Sequence, residues 1–349
     1  MAVMENQQAQ RGDATVHDVA RVAGVSAMTV SRVINGSARV SAVTRAKVEA
    51  ALAALRYRPN LAARAARTGT LRIGLLYSNP SAAFLSQFLV GAMDQCSRSG
   101  AQLILERCEG LASQRAAIDK LIAAGADAIL VPPPLCDATA ALRQLDAIGM
   151  PSVAVASGMA RPGVAAVRID DYQGALAMMR HLLELGHTDI AFIKGDPQHT
   201  PALRRHQGFV DAMGAAGLAV APERVAQGYF TYRSGLDAAR QLLAQPTRPS
   251  AIFAANDDMA AAVLAVAHGL RLQVPADLTV CGFDDTPVAS TVWPALTTIH
   301  QPIAAMAGAA VAMVLGDIRR RRAGETAPPE QRLLEFTLVQ RDSSGPPPA

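Results

Sequence analysis

Side chains able to hold a small polar ligand follow four predicted strands in the second half of the chain. One cation, one aromatic ring, one amide and one carboxylate stand where these strands end. They are Arg205 after 189–195, Phe230 after 224–228, Asn256 after 250–255 and Asp284 after 278–283. In open parallel sheets, ligands bind beyond the carboxyl ends of the strands. Carboxylates and amides hydrogen-bond sugar hydroxyls, and sugar rings stack on aromatic faces, so this set favours a polyhydroxylated ligand.

Two more residues, Phe84 and Ser86, follow the first predicted strand of the body and are candidates to meet the same ligand. Structural roles remain open for some of these positions. Asp257, next to Asn256, is as well suited to capping the following helix as to binding a ligand. Phe230 could instead belong to the core.

The motifs of common enzyme chemistry are absent from the sequence. The body has no GxGxxG, GxxxxGK[ST] or GxSxG, and the seven histidines form no HxxxH or HExxH pair. The cysteines Cys96, Cys108, Cys136 and Cys281 show no CxxC spacing, which predicts buried or half-buried thiols. We therefore expect a protein that is not an enzyme and that holds no metal and no cofactor.

A second group of candidate residues near the N-terminus is suited to DNA. Ala27, Met28 and Arg32 lie on the outer face of a short predicted helix. Arg32 can bond a guanine edge in bidentate fashion, which discriminates bases by roughly 1–3 kcal/mol. Ala27 and Met28 can make only apolar contacts, and partial core packing is the alternative for Met28. Phosphate contacts, which position a protein without reading sequence, are expected from Thr15, Ser26, Thr29, Ser31 and Asn35, with helix capping as the alternative for Ser26.

Three short helical patterns position this second group. The first runs from Thr15 to Ala23, and Gly24 supplies the backbone freedom that a sharp turn needs. Ser26 caps the second pattern, and Ser41 opens the third. Their apolar residues repeat on one face of each helix and are expected to close a small core (Val16, Val19, Ala20, Ala23, Val30, Val33, Ile34, Val48, Ala51, Leu52 and Leu55). Two crossed helices with a glycine turn predict a helix-turn-helix.

Charge separates this segment from the rest of the chain. The 349 residues carry a net charge of +4, but residues 11–68 alone carry +7. A basic segment on a near-neutral body is typical of a nucleic-acid-binding domain. Half of the residues are hydrophobic, yet no apolar run is long enough to span a membrane, and no signal peptide is evident. We therefore expect a cytoplasmic protein.

From residue 71 onward, apolar strand-like runs alternate with helical patterns, which predicts parallel sheets covered on both faces. The runs lie at 71–76, 101–106, 127–132, 152–156, 164–169, 189–195, 250–255 and 278–283. The body is too long for one doubly wound sheet, so two lobes are expected. The predicted domains are a disordered tail at 1–13, the helix-turn-helix at 14–60, a basic hinge at 61–69, the body at 70–342 and a second disordered tail at 343–349.

The chain resembles the lac repressor (LacI/GalR) family of bacterial transcription regulators over about residues 15–342. The N-terminal stretches that carry the resemblance are DVARVAGVSAMTVSRVIN at 18–35 and VSAVTRAKVEAALAALRYRPN at 40–60. Those in the body are RIGLL at 72–76, LGHTDIAFIKG at 185–195, ANDDMAAAV at 255–263, VPADLTVCGFDDTPVA at 274–289 and PALTTIHQP at 294–302. The resemblance implies an α/β body like that of periplasmic sugar-binding proteins, with a ligand cleft between two lobes.

The resemblance also implies where the two lobes begin and end. Chain crossovers are expected near 170, near 289–297 and near 325–333. The first lobe would then hold about 70–168 and 298–325, and the second about 169–290 and 331–342. By the same resemblance, Arg205, Asn256 and Asp284 match effector-binding positions and Phe230 matches the family's stacking aromatic residue.

Two departures from the family pattern follow from single residues. Family members commonly carry a leucine seven residues after the hinge proline, where it wedges into the minor groove and kinks the DNA. Counting from Pro59 gives Ala66, so we expect weaker kinking, with Arg64 and Arg67 adding contacts to phosphate or the minor groove. Many sugar-responsive relatives have an aspartate at the position of Ala156, so one expected hydroxyl contact is missing.

The sequence thus predicts a sequence-specific transcription regulator, most simply the repressor of a carbohydrate-use operon. A sugar-like effector would bind between the lobes, with a nucleobase or a sugar acid as the alternative ligand. The family's tetramers depend on a C-terminal leucine-heptad helix that this sequence lacks, so we expect a homodimer on a near-palindromic operator. A solute-binding sensor without a DNA role is the rival from another class, and it leaves the basic N-terminal segment unexplained.

Overall fold

The computed structural model describes residues 16–34, 40–55, 70–78, 80–109 and 111–348. The chain forms two compact units, Met1–Thr68 and Gly69–Ala349. The predicted tail at 1–13 and the predicted hinge at 61–69, with Arg64, Ala66 and Arg67, lie outside the described residues.

The first unit is the predicted bundle of three helices. Its helices are α1 (Val16–Ala23), α2 (Ala27–Ile34) and α3 (Ala42–Ala54). Val19, Val30 and Val48 are fully buried where the three helices meet. Ser41 caps α3 by accepting the Thr44 backbone N–H at 3.2 Å. The apolar periodicity of the sequence therefore predicted this small core correctly for its described side chains.

The first lobe of the second unit is built on a six-stranded parallel sheet. Its strands are β1 (Arg72–Tyr77), β2 (Gln102–Arg107), β3 (Ala128–Val131), β4 (Ser152–Val155), β5 (Ala165–Arg168) and β11 (Gln331–Leu333). They lie in the order β11-β5-β4-β3-β1-β2. The helices are α4 (Ala82–Ser99), α5 (Gln114–Ala123), α6 (Thr139–Ala147) and α12 (Ile303–Arg322), and short 3-10 turns lie at Leu111–Ser113 and Leu135–Asp137.

The second lobe has a four-stranded parallel sheet in the order β7-β6-β8-β9. Its strands are β6 (Ile190–Lys194), β7 (Val225–Gln227), β8 (Ala251–Ala254) and β9 (Thr279–Cys281). Its helices are α7 (Asp171–Glu184), α8 (Thr200–Ala215), α9 (Tyr232–Leu243), α10 (Asp257–Gly269) and α11 (Pro287–Thr291), with a 3-10 turn at Pro222–Arg224. All four residues of β8 are buried, as expected for a strand whose sheet is covered on both faces.

The chain crosses between the lobes at places that differ in part from those expected. A short antiparallel ribbon joins β10 (Thr298–His300) to β12 (Thr337–Val339). Bridges from Thr297 and His300 attach this ribbon to the end of the second lobe's sheet, so the second crossover follows β10 instead of preceding it. β11 pairs with β5 in the first lobe, so the third crossover lies at 334–336 and not at 325–333. The strands β10, β11 and β12 are only three residues long and include positions that are not buried. They therefore form no apolar run by which the sequence could have located these crossovers.

The predicted disordered tail at 343–349 is also wrong for its first residues. Ser343 is fully buried, and its backbone and hydroxyl bond both polar groups of Val280. Gly345 accepts hydrogen bonds from His187 and Thr279. The proline, glycine and serine composition suggested a loose end, but this segment satisfies backbone groups that the short strand β9 would otherwise leave unpaired.

Candidate functional site

The turn between α1 and α2 has the geometry that its residues predict. Gly24 takes a positive φ of 65°, a conformation that glycine adopts without strain. Ser26 accepts the Thr29 backbone N–H at 3.2 Å and bonds the Thr29 hydroxyl at 2.9 Å. The two hydroxyls thus hold the first turn of α2, whatever they contact in a DNA complex.

The outer face of α2 carries two of the three predicted base-reading residues. Met28 is 64% exposed, and Arg32 is exposed as well. Ala27 is half-buried and packs against the core of the bundle, which leaves it little surface to offer a base. Thr15, Asn35 and the side chain of Ser31 lie outside the described residues.

A cavity between the two lobes brings together most of the predicted ligand-binding residues. Its empty volume is about 400 Å³, part of it continuous with solvent, within the usual range for small-molecule sites. It is lined by Ser81, Phe84, Pro133, Ala156, Asp171, His199, Pro201, Arg205, Phe230, Asn256, Asp284 and Gln301. We call it the cleft cavity. Of the predicted set, Ser86 alone is missing, because it is exposed on the next turn of α4 and Ser81 takes its place.

Arg205 is buried in the wall of the cleft cavity, and its guanidinium is extensively bonded. Its Nε donates to Asp171 at 2.9 Å, and one terminal nitrogen donates to the Ala255 carbonyl at 2.6 Å and to Asp284 at 3.2 Å. The guanidinium also lies over the Phe283 ring, 3.6 Å from its centroid. Arg205 therefore organises the site as much as it offers donors to a ligand.

Asp284 stands at the end of β9 with a φ of 112°, in the left-handed region that rarely suits a side chain. One oxygen, Oδ1, accepts from Arg205 and, at 2.5 Å, from Gln301. No described residue donates to the other oxygen, which leaves it for a ligand. Burial raises the pKa of Asp284 to about 7, although the Arg205 charge acts to lower it. Burial likewise raises the pKa of Asp171.

Asn256 and Asp257 have structural duties that the sequence left open. The Asn256 carbonyl oxygen caps α10 by accepting the Met259 N–H at 3.1 Å, and its amide donates to the Phe230 carbonyl at 3.1 Å. Most of its bonding capacity is therefore used. Asp257 is fully buried away from the cleft cavity and accepts from Thr286 and Thr298, so its structural role prevails.

Two aromatic rings enter the cleft cavity from opposite lobes. Phe84 comes from α4 of the first lobe, where Ser81 caps the helix. Phe230 precedes α9 of the second lobe with a φ of 60°, and its ring packs directly over Gly195. Together with Pro133 and Pro201 they supply much of the apolar part of the cavity lining.

His199 was not singled out by the sequence, because a lone histidine before a helix carries no motif. It is 3% exposed and meets the Phe230 ring edge-on, with centroids 5.2 Å apart. Neither ring nitrogen finds a hydrogen-bond partner among the described residues, and Asp196 lies 3.7 Å from Nδ1. Burial lowers the pKa of His199, so the neutral ring presents one donor and one acceptor at the cavity wall.

Direct hydrogen bonds join the lobes on both sides of the cleft cavity. On one side, Asp137 of the first lobe accepts from the Thr200 hydroxyl at 2.6 Å, and Gly158 N–H donates to the same hydroxyl at 2.7 Å. A Cβ at Gly158 would lie 2.5 Å from the Thr200 carbonyl carbon, so the approach requires glycine. On the other side, Ser81 donates to Asp258 at 2.9 Å.

Other site types find no support in the described ranges. No described helix is both long and apolar enough to cross a membrane. No group of three or more histidine, cysteine or acidic side chains is placed there to hold a metal ion. The four cysteines are buried in the described structure and form no disulfide there, as their spacing predicted.

Comparison with known proteins agrees with both units. Residues 15–60 match the profile "Bacterial regulatory proteins, lacI family", and residues 179–344 match "Periplasmic binding protein-like domain". The chain is 36% identical over 340 residues to the HTH-type transcriptional repressor PurR of Pectobacterium carotovorum subsp. carotovorum, covering 95% of this chain and 96% of the relative. It is 34% identical to PurR of Erwinia tasmaniensis, with the same coverage.

Solved structures of similar proteins cover the whole architecture. The complex of the transcriptional regulator CelR with cellobiose is 32% identical, with a TM-score of 0.71, over 95% of this chain and 99% of that chain. The lac repressor dimer bound to operator and the anti-inducer ONPF is 29% identical, with a TM-score of 0.71, over 96% of this chain and all of that chain.

Proposed function

Because the chain belongs to the LacI family of DNA-binding transcriptional repressors, which are not enzymes, we propose that it represses its target genes in response to a nucleobase-like effector. The observation that carries this proposal is the pair of rings, Phe84 and Phe230, that enter the cleft cavity from opposite lobes. A planar ligand between them would contact both lobes at once and so favour one arrangement of the lobes over another.

The polar wall of the cleft cavity suits the edge of a heteroaromatic base. Arg205 offers donors, the second oxygen of Asp284 accepts a hydrogen bond when the carboxyl is ionised and donates one when it is protonated, and neutral His199 offers one of each. A base edge presents donors and acceptors in one plane, whereas a sugar presents hydroxyls around its whole rim. The PurR relatives also favour this class of ligand.

The sugar expectation is weakened by two residues. Asn256 is the amide in the set that favoured a sugar, but its side chain caps α10 and bonds the Phe230 carbonyl. Ala156 lines the cleft cavity with a methyl group where a carboxylate would bond hydroxyls. A sugar remains the second candidate, because the regulator in the CelR–cellobiose complex is similar over 95% of this chain.

A homodimer follows from the same proposal. Val90 and Met93 on α4 and Leu105 on the edge strand β2 are between 47% and 58% exposed. Large exposed apolar side chains on one lobe are typical of an interaction surface, and the lac repressor structure contains a dimer on its operator. A dimer would present two helix-turn-helix units to a near-palindromic site.

Arg32→Ala is expected to weaken binding to the operator by roughly 1–3 kcal/mol, or about 5- to 150-fold, because it removes a bidentate base contact. Binding to unrelated DNA should fall much less, since phosphate contacts dominate there. Fluorescence anisotropy at fixed salt, with footprinted DNA from upstream of the gene and with scrambled DNA, measures both. Arg240→Ala on the body removes the same charge and serves as control; an equal loss on both DNAs would argue against base reading by Arg32.

Nucleobases are expected to raise the melting temperature of the full-length protein, and sugars are not. The probes are adenine, guanine, hypoxanthine and xanthine against glucose, galactose and cellobiose. Phe230→Leu should weaken the best base by about tenfold, since ring stacking contributes roughly 0.5–1.5 kcal/mol beyond the lost contact area. Tyr229→Leu changes the neighbouring exposed ring and should leave binding unchanged. Binding of a sugar with no response to any base would refute the nucleobase proposal and leave the repressor function standing.

A further inference from the structure

A second cavity lies under the amino ends of β4 and β5 in the first lobe. Its empty volume is about 710 Å³, part of it open to solvent. No described residue lines both this cavity and the cleft cavity. The cleft cavity lies at the carboxyl ends of the strands, so the two cavities occupy opposite edges of one parallel sheet. We call the second the amino-edge cavity.

The floor of the amino-edge cavity is apolar. Leu142 of α6, Val153 of β4 and Met313 with Val314 of α12 line it. Leu142 is 8% exposed, and the other three are no more than 5% exposed. These side chains form a small apolar patch in a lining that is more polar than apolar overall, which suits a ligand with a compact apolar part and a polar group, because burying even a small apolar area stabilises a complex.

One wall of the amino-edge cavity carries a cation that lacks a full set of partners. The Nε of Arg320 is buried, and no described group accepts a hydrogen bond from it. Asp317, the carboxylate paired with Arg320, lies 3.7 Å away, beyond hydrogen-bond distance, and it bonds Arg321 at 2.8 Å. One carboxylate therefore serves two guanidinium groups. The Arg320 side chain as a whole is 37% exposed, so an anion in the cavity can reach its guanidinium, and a charge-assisted hydrogen bond there would stabilise the complex.

The neighbouring charges leave Arg320 as the available group. Glu330 is bound by Arg332 through two nitrogens, at 2.5 and 3.1 Å. Arg321 donates to the Gly149 carbonyl at 2.7 Å, which ties the end of α12 to the loop before β4. Asp146 lines the side formed by α6 and is exposed to solvent, where a carboxylate is well hydrated.

We propose that the amino-edge cavity is a second binding site, for a small organic anion with an apolar body. The ligand's carboxylate or phosphate accepts from Arg320, and its apolar part lies on Leu142 and Met313. This site does not depend on the identity of the effector in the cleft cavity. The chain also enters β1 at this edge of the sheet. A ligand bound here therefore acts on the first lobe independently of a ligand in the cleft cavity.

The test uses the full-length protein and three probes of one shape, namely benzoate, phenyl phosphate and uncharged benzyl alcohol. Isothermal titration should show that at least one anionic probe binds and that benzyl alcohol binds at least tenfold more weakly. Arg320→Met keeps the apolar stem and should raise the dissociation constant of that anion by about tenfold or more, as expected for a lost charge-assisted hydrogen bond.

Two control variants separate this site from its surroundings. Arg319→Met removes an exposed neighbouring charge outside the cavity, and Phe230→Leu alters the cleft cavity; both should bind the anion as the wild type does. The proposal is overturned if neither anion binds at millimolar concentration or if Arg320→Met binds like the wild type. It is also overturned if Phe230→Leu abolishes binding, because the anion then occupies the cleft.

Discussion

Arg205→Met is expected to lower the free energy of unfolding by roughly 3–5 kcal/mol at pH 8, the usual cost of removing one partner from a buried ion pair. Asp171 and Asp284 both bond this guanidinium and are almost completely buried. Without it, two carboxylates are left in the same apolar surroundings. Urea unfolding of wild type and variant measures the difference, and Arg204→Met, which changes the neighbouring half-exposed arginine, should cost less than about 1 kcal/mol.

The free energy of unfolding that Arg205→Met removes should be smaller at pH 5 than at pH 8. Burial raises the pKa of Asp284 to about 7 and raises that of Asp171. The folded protein therefore holds protons that the unfolded chain, with an aspartate pKa near 4, has released. For such groups stability falls as pH rises from about 4 through the folded pKa. Arg205 lowers the pKa of both carboxyl groups in the folded protein. Without Arg205 these pKa values are higher, so stability continues to decrease up to a higher pH. An equal loss at both pH values would contradict the role assigned to Arg205.

Truncation after Asp342 is expected to cost about 4 kcal/mol or more. Ser343, Ser344 and Gly345 bond Val280, Thr297, Thr279 and both His181 and His187. Each such bond stabilises by roughly 0.5–1.5 kcal/mol. Thermal unfolding of the truncated chain measures the sum.

A shorter truncation provides the control for this prediction. Removing only 346–349 keeps every one of these hydrogen bonds and should change the free energy of unfolding by less than about 1 kcal/mol. If the two truncations are equally stable, the segment 343–345 lies on the second lobe without stabilising it.

The sequence was most informative where apolar residues repeat. The runs that became β1, β3, β6 and β8 predicted those strands because each is buried on both faces. The strands β10, β11 and β12 are three residues long and partly exposed, so their pairing depends on tertiary contacts that no local pattern reveals. For the same reason the ends of the lobes were placed several residues away from their positions in the structure.

In the candidate site, too, the sequence predicted some of the residues and missed others. Arg205, Phe230 and Asp284 were found because a cation, an aromatic ring and a carboxylate that follow predicted strands are suited to bind a ligand. Asp171 and His199 also follow predicted strands, at 164–169 and 189–195, but no motif singled them out. Gln301 reaches the cleft cavity after β10, which no apolar run marks. Asn256 was placed in the cavity, but its capping bond was not foreseen, and that bond changes which ligand the site favours. Proximity could be predicted from the strands, whereas the hydrogen bonds that remain free for a ligand could not.

The hydrogen bonds from Thr200 to Asp137 and from Ser81 to Asp258 have a consequence for kinetics. They fasten the two lobes together beside the cleft cavity, so an effector that needs the lobes to separate can enter only after these bonds break. The observed association rate should then rise with effector concentration only until it reaches the opening rate of the lobes. Effectors of different strength would share this ceiling and differ mainly in how long they stay, so the duration of a response would be set by their dissociation rates.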